Sequence, residues 1–354
     1  MIFSPIQIAN LNVSNRIAVA PMCQYSSVDG AMTDWHTQHL MQLGYSGAGL
    51  IMVEATAVER IGRITHHCVG LYNDFCERSI KKTLEKARSV SQKETAFGIQ
   101  LAHAGRKAST QRPWEGRKSL SKEEDPWSTK GPSSLAFDED WHVPETIENS
   151  DLENIKSKFV EASLRSVRVG FDLIEIHGTH GYLFHQFLSP LSNHRSDKYG
   201  GSLENRMRYP LEVFAAIKEA LPKEFPLGMR ITGTEWEKGG IDEQESIIFT
   251  NELEKIGCHY VCVSSGGNTP NPKIPIAPHY QVHLAKIIKK NTDMVVRAVG
   301  MITDPIKANQ IIVDKEADMV AIARGFLTNP RWVWDAAKIL KHDIVVPPQY
   351  ARKF

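Results

Sequence analysis

The stretch His177-Gly-Thr-His-Gly-Tyr182 sets two imidazoles three positions apart and a phenol two positions further on. Paired imidazole N–H groups can hold a developing oxyanion, and a phenol, protonated at neutral pH with an ordinary pKa of about 10, can donate a proton beside it. The same spacing also reads as an HxxH metal pair or as histidines that finish a turn. No third ligand follows at a familiar spacing, which counts against zinc.

Chemistry of this kind needs a frame, and the chain supplies a repeating one. Eight short runs rich in Val, Ile and Leu are spaced along it: Arg16–Met22, Gly49–Thr56, Ala96–His103, Asp172–His177, Leu227–Thr232, Tyr260–Ser264, Val295–Gly300 and Met319–Ala323. Runs without polar alternation are expected of strands covered on both faces of a parallel sheet. Helical patterns fill the gaps, among them Asp151–Val169, Glu204–Leu221, Glu243–Ile256 and His279–Lys290, with Ser150 and Asp242 as candidate caps. Eight βα units with right-handed crossovers predict a closed (β/α)8 barrel, a TIM barrel, over residues 1–354 as one domain. Such a barrel gathers its chemistry at the carboxyl ends of the strands. Those ends carry Pro21, Met22, Cys23 and Tyr25; Ala55; Gln100; His177, His180 and Tyr182; Arg230; Gly300; and Arg324.

Residues 108–144 break the rhythm, being rich in Ser, Pro and charge and holding Trp114, Trp127 and Trp141. This is a long loop after the third strand, and its aromatics favour a lid or packing role. Asn193–Arg206 is expected to be structural, with a tight turn at Gly200-Gly201 and a helix cap at Ser202.

A formal net charge of +1 over 354 residues speaks against a nucleic-acid or anionic-lipid surface. No apolar run approaches the roughly 18 residues of a bilayer span, and the start lacks a signal-peptide pattern, so a cytoplasmic protein is expected. Cys23, Cys68, Cys76, Cys258 and Cys262 are scattered without a CxxC pair, against a disulfide framework or a thiolate metal site. No GxGxxG follows a predicted strand, so a tightly held Rossmann dinucleotide is not expected.

APMCQY at 20–25, VEAT at 53–56, QLAHAGRKA at 100–108, IEIHGTHGYLFHQFLSPLSNHRSDKYGGSLENR at 174–206 and the closing QYARKF strongly resemble the Old Yellow Enzyme flavoproteins. The likeness spans nearly the whole chain and is greatest to the bacterial thermophilic-like subgroup, with a cysteine near the flavin. It implies an FMN cofactor, NADPH or NADH as hydride donor, and reduction of activated alkenes in a shared pocket. Ala20, Pro21, Met22, Cys23, Ala55, Gln100, His177 and Arg230 match positions around the isoalloxazine, with Gln100 at the pyrimidine edge, Arg230 beside the anionic reduced ring and Cys23 near N5. Gly300, Ala323 and Arg324 match the phosphate site. His177 and His180 match the pair that polarises the substrate carbonyl, Tyr182 the proton donor, and Tyr25 and Lys107 the substrate pocket. Residues 345–354 match a tail that crosses a dimer interface and delivers an arginine, here Arg352, to the neighbouring site, implying a homodimer or homotetramer. At Gly178-Thr179, many relatives carry two alanines; greater backbone freedom is expected there. The alternatives are an iron–sulfur amine or dienoyl-CoA oxidoreductase on the same barrel, which would need a cysteine-rich segment and a further domain that this sequence does not show, a metal-dependent barrel hydrolase, and a non-catalytic scaffold.

Overall fold

In the computed structural model, which describes residues 1–353, eight parallel strands close into a barrel in chain order. They are β1 (Ile17–Val19), β2 (Leu50–Ala57), β3 (Ala96–Ala102), β4 (Leu173–Gly178), β5 (Leu227–Thr232), β6 (Tyr260–Ser264), β7 (Val295–Ala298) and β8 (Met319–Ile322), and β8 pairs back onto β1. Six lie inside the run expected for them, while β2 and β4 run one residue past theirs, to Ala57 and Gly178. Every residue of β2 to β6 is buried, the burial on both faces that an uninterrupted apolar run requires.

The core has two parts. Residues pointing outward from the barrel, such as Ile51, Phe97, Ile174 and Val263, pack against the surrounding helices. Inward residues, including Ala18, Leu50, Leu173, Tyr260 and Met319, pack with Ile8 and Val13 of an antiparallel hairpin, Ile6–Ile8 with Leu11–Val13, on the side of the barrel away from the catalytic loops. The barrel interior is therefore packed with side chains and is not a pore.

The helices are α1 (Asp34–Gly44), α2 (Asp74–Val90), α3 (Asn149–Val169), α4 (Leu183–Leu188), α5 (Leu203–Ala220), α6 (Glu243–Lys255), α7 (Val282–Lys289), α8 (Pro305–Val313), α9 (Arg324–Thr328) and α10 (Trp332–Ile339). Asp242 caps α6 by accepting from the Glu245 amide, and Ser202 caps α5 by accepting from Asn205. Ser150 is not a cap: α3 starts one residue earlier, with Glu148 at the capping position and Asp151 reaching back to the Glu148 amide. α7 begins at Val282 rather than His279, because His279 has φ 66°, which no helix accommodates.

The 108–144 loop is tightly folded. Trp127 donates through Nε1 to the Ile61 carbonyl at 2.9 Å and stacks edge-on with His66, while Lys130–Gly131 pairs with Glu145–Thr146. Its strongest strap is Arg106, a buried guanidinium that donates to the carbonyls of Leu135, Ala136 and Asn268. Arg106→Met strands those carbonyls and is expected to cost roughly 2–4 kcal/mol, a buried hydrogen bond to a charged group contributing about 1.5–3 kcal/mol. Limited proteolysis should then cut between residues 130 and 142 at least ten times faster; an unchanged cleavage rate would show that the loop is held by its aromatics alone.

Candidate active site

β4 ends at Gly178 with His177 paired in register to Arg230 of β5, so the imidazole and the guanidinium sit side by side at the barrel mouth. The chain then makes a left-handed bend at His180 and Gly181, with φ of 61° and 73°. Gly181 is required: a Cβ there would stand 2.2 Å from the Gly267 carbonyl oxygen. The bend turns Tyr182 back over the strand end. The His177 and His180 ring centroids are 5.2 Å apart and perpendicular, and the Tyr182 ring lies 4.9 Å from that of His177.

Burial, reinforced by the Arg230 charge, holds both imidazoles well below their ordinary pKa, so they are neutral at physiological pH. Burial likewise pushes the Tyr182 phenol above its ordinary value, with the Cys23 thiol adding to the effect. The site thus presents neutral donors and a retained phenolic proton. Nε2 of His180 meets the Ser264 hydroxyl at 2.8 Å, which is also within reach of Gln281 and Arg230.

The turn is held from below by a chain of buried polar contacts. The Gly181 amide donates to Nδ1 of His185 at 2.9 Å, so His185 carries its proton on Nε2 and gives it to Glu235 at 3.1 Å. Glu235 is buried, which opposes ionisation, yet His185 and the Ile241 amide hold its carboxyl below the usual range. Thr232 donates to the Thr179 hydroxyl at 2.7 Å, which gives Thr179 a defined anchoring role. Gly178 supplies room rather than backbone freedom, since it lies within β4 and a Cβ there would meet Met229 and the Arg230 carbonyl.

On the opposite wall, Tyr25 takes a left-handed φ of 47°, and burial raises the Cys23 thiol well above its ordinary pKa, with Glu54 the next cause. Cys23 is therefore a thiol, not a thiolate. Lys107 reaches across to donate to the carbonyls of His180 and Gly267, at 3.0 and 2.7 Å, and burial pushes its ammonium down to about 7. Tyr25, Lys107 and Tyr182 line one cavity of ≈ 390 Å³, together with Arg117, Phe137 and Trp141 of the loop. Arg352 is not brought there. Its tail is docked on the outside of its own chain, where Tyr350 stacks on Tyr45 and under Arg331, and Arg352 is exposed. Phe354 lies outside the described residues.

Glu54 occupies a bulge, where the β2 register on β3 skips from Val53 to Ala55. Its carboxyl accepts from the Gln24 amide at 3.0 Å and lies 3.5 Å from His36, and burial raises its pKa to about 8. Between the ordinary 4.5 and 8 the unfolded chain ionises Glu54 while the folded chain keeps it protonated, so this group lowers stability as pH rises through that window. His36 and His39, pushed down by burial to about 4, act in the other direction: stability falls as pH drops from the ordinary 6.5 towards 4. Urea unfolding of Glu54→Gln should match the parent at about pH 4 and exceed it at pH 8. Parallel profiles for the two proteins would rule out a protonated Glu54.

Two buried atoms at this face, Nδ1 of His177 and Nε of Arg230, have no hydrogen-bond partner among the described residues. Native interiors rarely leave such groups unanswered, and a planar ligand that carries both donors and acceptors would answer both, giving to Nδ1 of His177 and accepting from Nε of Arg230. At the ends of β7 and β8, Gly300 takes φ 125° and α9 opens at Arg324, exposing its first amides after Ala323. The residues fit a flavin mononucleotide, with the Arg324 side chain exposed at the start of α9. Among the described residues, no group of three or more His, Cys, Asp or Glu is arranged to hold a metal ion, and no helix is long and apolar enough to cross a membrane.

Residues 1–343 match the model of the NADH:flavin oxidoreductase / NADH oxidase family. The chain belongs to that family. Family membership makes it an oxidoreductase with FMN as cofactor and NADH or NADPH as hydride donor, of the Old Yellow Enzyme type expected from the motifs. A NADPH dehydrogenase of Bacillus subtilis is 38% identical over 353 residues, covering 99% of this chain and 98% of that one. A NADH:flavin oxidoreductase of Gibberella zeae is 42% identical over 347 residues, covering 93% and 83%. Among solved structures, morphinone reductase superposes with a TM-score of 0.76 at 25% identity over 98% of this chain and 92% of its own. A 2-naphthoyl-CoA reductase complex shares the fold, with a TM-score of 0.85 at 21% identity over 95% of this chain, which spans about half (52%) of that reductase. Sequence reasoning missed several residues of this family member's site: Ser264, Gln281, Arg106 and the His185–Glu235 pair. Serine and glutamine carry no signal in a single sequence, whereas Glu235 and His185 were visible only as polar residues between apolar runs.

Proposed function

We propose that this protein is an ene-reductase, reducing the activated C=C bond of α,β-unsaturated carbonyl or nitro compounds at the expense of NADPH or NADH. The observation that carries this reading is the convergence of two neutral imidazoles and a protonated phenol on one side of the barrel mouth. FMN, when bound, supplies the hydride to the substrate β-carbon and is recharged by the nicotinamide. His177 and His180 each offer a ring N–H to the substrate oxygen and stabilise the negative charge that grows there. Tyr182 gives its proton to the α-carbon, and its high pKa keeps that proton in place until the carbanion character develops. Lys107, held by two carbonyls and facing the Tyr182 ring at 5.5 Å, fixes the wall between acid and lid.

Ala20, Pro21, Met22, Cys23, Ala55, Gln100 and Arg230 are assigned to the flavin ring, and Gly300, Ala323 and Arg324 to its phosphate. Tyr25 is assigned to the substrate wall. The exposed Arg352 is assigned to the active site of a second copy of the chain, in a homodimer or homotetramer. Arg352→Ala should raise the KM for an enone several-fold while leaving thermal stability unchanged; an unaltered KM in a sedimenting dimer would remove that assignment.

An absorption spectrum tests the whole reading. Flavin bands should bleach with anaerobic NADPH and return on addition of cyclohexenone. Bleaching without return would leave a flavin reductase that does not act on enones.

A further inference from the structure

Inside the barrel, below the site, three polar side chains from separate strands meet where branched apolar residues usually fill the space. Gln100 of β3, Glu175 of β4 and Arg297 of β7 are 2%, 0% and 0% exposed. Gln100 and Glu175 are in register on neighbouring strands, and Nε2 of Gln100 donates to Oε1 of Glu175 at 2.8 Å. The other carboxylate oxygen accepts from Nη2 of Arg297 in a direct ion pair. The Arg297 guanidinium sits 5.1 Å from the Tyr260 ring, and its Nε and Nη1 find no hydrogen-bond partner among the described residues, the nearby Cys262 thiol being at best a weak acceptor.

A fully buried ion pair with unpaired N–H groups is a poor way to stabilise a barrel, because desolvation offsets most of the attraction and an apolar replacement is often as stable. What the pair does accomplish is orientation. A carboxylate only accepts, so the Gln100 amide must turn its NH2 towards Glu175 and keep its carbonyl oxygen for another donor. Arg297 in turn neutralises the carboxylate, which would otherwise set an uncompensated anion beneath a cofactor that becomes anionic on reduction.

We propose that Glu175 and Arg297 are positioning residues for the flavin: the pair locks the Gln100 amide so that its carbonyl accepts from the N3–H of the pyrimidine ring, and it balances the charge beneath that ring. This rests on the assignment of Gln100 to the flavin made above. A hydrogen-bonded network with every amide orientation dictated is how a binding site is pre-organised, the ordering being completed before the ligand arrives.

The test uses the FMN-loaded protein and reads the flavin itself. Gln100→Leu, Glu175→Gln and the double variant Glu175→Gln/Arg297→Met are compared with the parent by the two-electron reduction potential and by the 15N resonance of N3 in labelled FMN. In Glu175→Gln the amide lock is lost and an unbalanced cation remains, so the N3 resonance should move and the reduced flavin should be favoured about tenfold, roughly 30 mV. In the double variant, which leaves no unpaired charge and serves if the single one does not fold, the potential should return towards the parent while the N3 shift persists. If Gln100→Leu moves N3 but Glu175→Gln and the double variant do not, Gln100 meets the flavin unaided and the proposal is overturned. If Gln100→Leu leaves N3 unmoved, the assignment of Gln100 fails and the proposal falls with it.

Discussion

Tyr182→Phe is expected to slow reduction of cyclohexenone by two to four orders of magnitude, the range over which a positioned general acid acts, while flavin reduction by NADPH stays within about twofold of the parent. The split follows from where the phenol sits. Its ring packs against His177 and beside Lys107, so phenylalanine keeps the contacts and removes only the hydroxyl. Hydride transfer from nicotinamide needs no proton from that side. The raised pKa adds a pH signature: the alkene half-reaction of the parent should show no loss of rate through the ordinary phenol range near 10, because the proton is still held there. Stopped-flow traces of the two half-reactions measure both. Equal slowing of the two would mean that Tyr182 shapes the pocket and is not the acid.

The double variant His177→Ala/His180→Ala should lose more. Removing one donor to a developing oxyanion commonly costs about a hundredfold to a thousandfold in rate, and here both partners of the substrate oxygen go together. Binding of a phenol to the oxidised enzyme, seen as a long-wavelength charge-transfer band, should disappear as well, since the phenolate oxygen needs the same two ring N–H groups. The protein should still fold. His177 leaves Nδ1 without a partner already, and His180 loses a single contact to Ser264, whereas the buried His185–Glu235 pair that holds the turn is untouched. A yellow, stable double variant that binds phenol as before would show that the oxygen is held elsewhere.

These expectations rest on residues of unequal visibility. The eight apolar runs were legible because burial on both faces leaves a strand little choice of residue type, and each observed strand falls within one residue of its run. Strand and helix ends were less so. Ser150 is as good a capping residue as any, but Glu148 and Asp151 close a reciprocal pair with the cap two residues earlier. His177, His180 and Tyr182 stood out because their spacing suits one turn, although the left-handed bend that brings them together depends on Gly181 passing under Gly267, 86 residues along the chain.

The barrel and the spacing of the imidazole–phenol trio could be read from sequence alone, because both are written in local pattern: apolar period, strand-end position and short spacing. Tertiary structure alone decided the protonation states and the supporting contacts. Whether His177 is neutral, Glu54 protonated or Glu175 paired depends on which distant strand closes over it, and Arg297 meets Glu175 only after 122 residues of chain have wrapped around the barrel. Burial and charge act through space, so their consequences appear only when the ring of strands is shut.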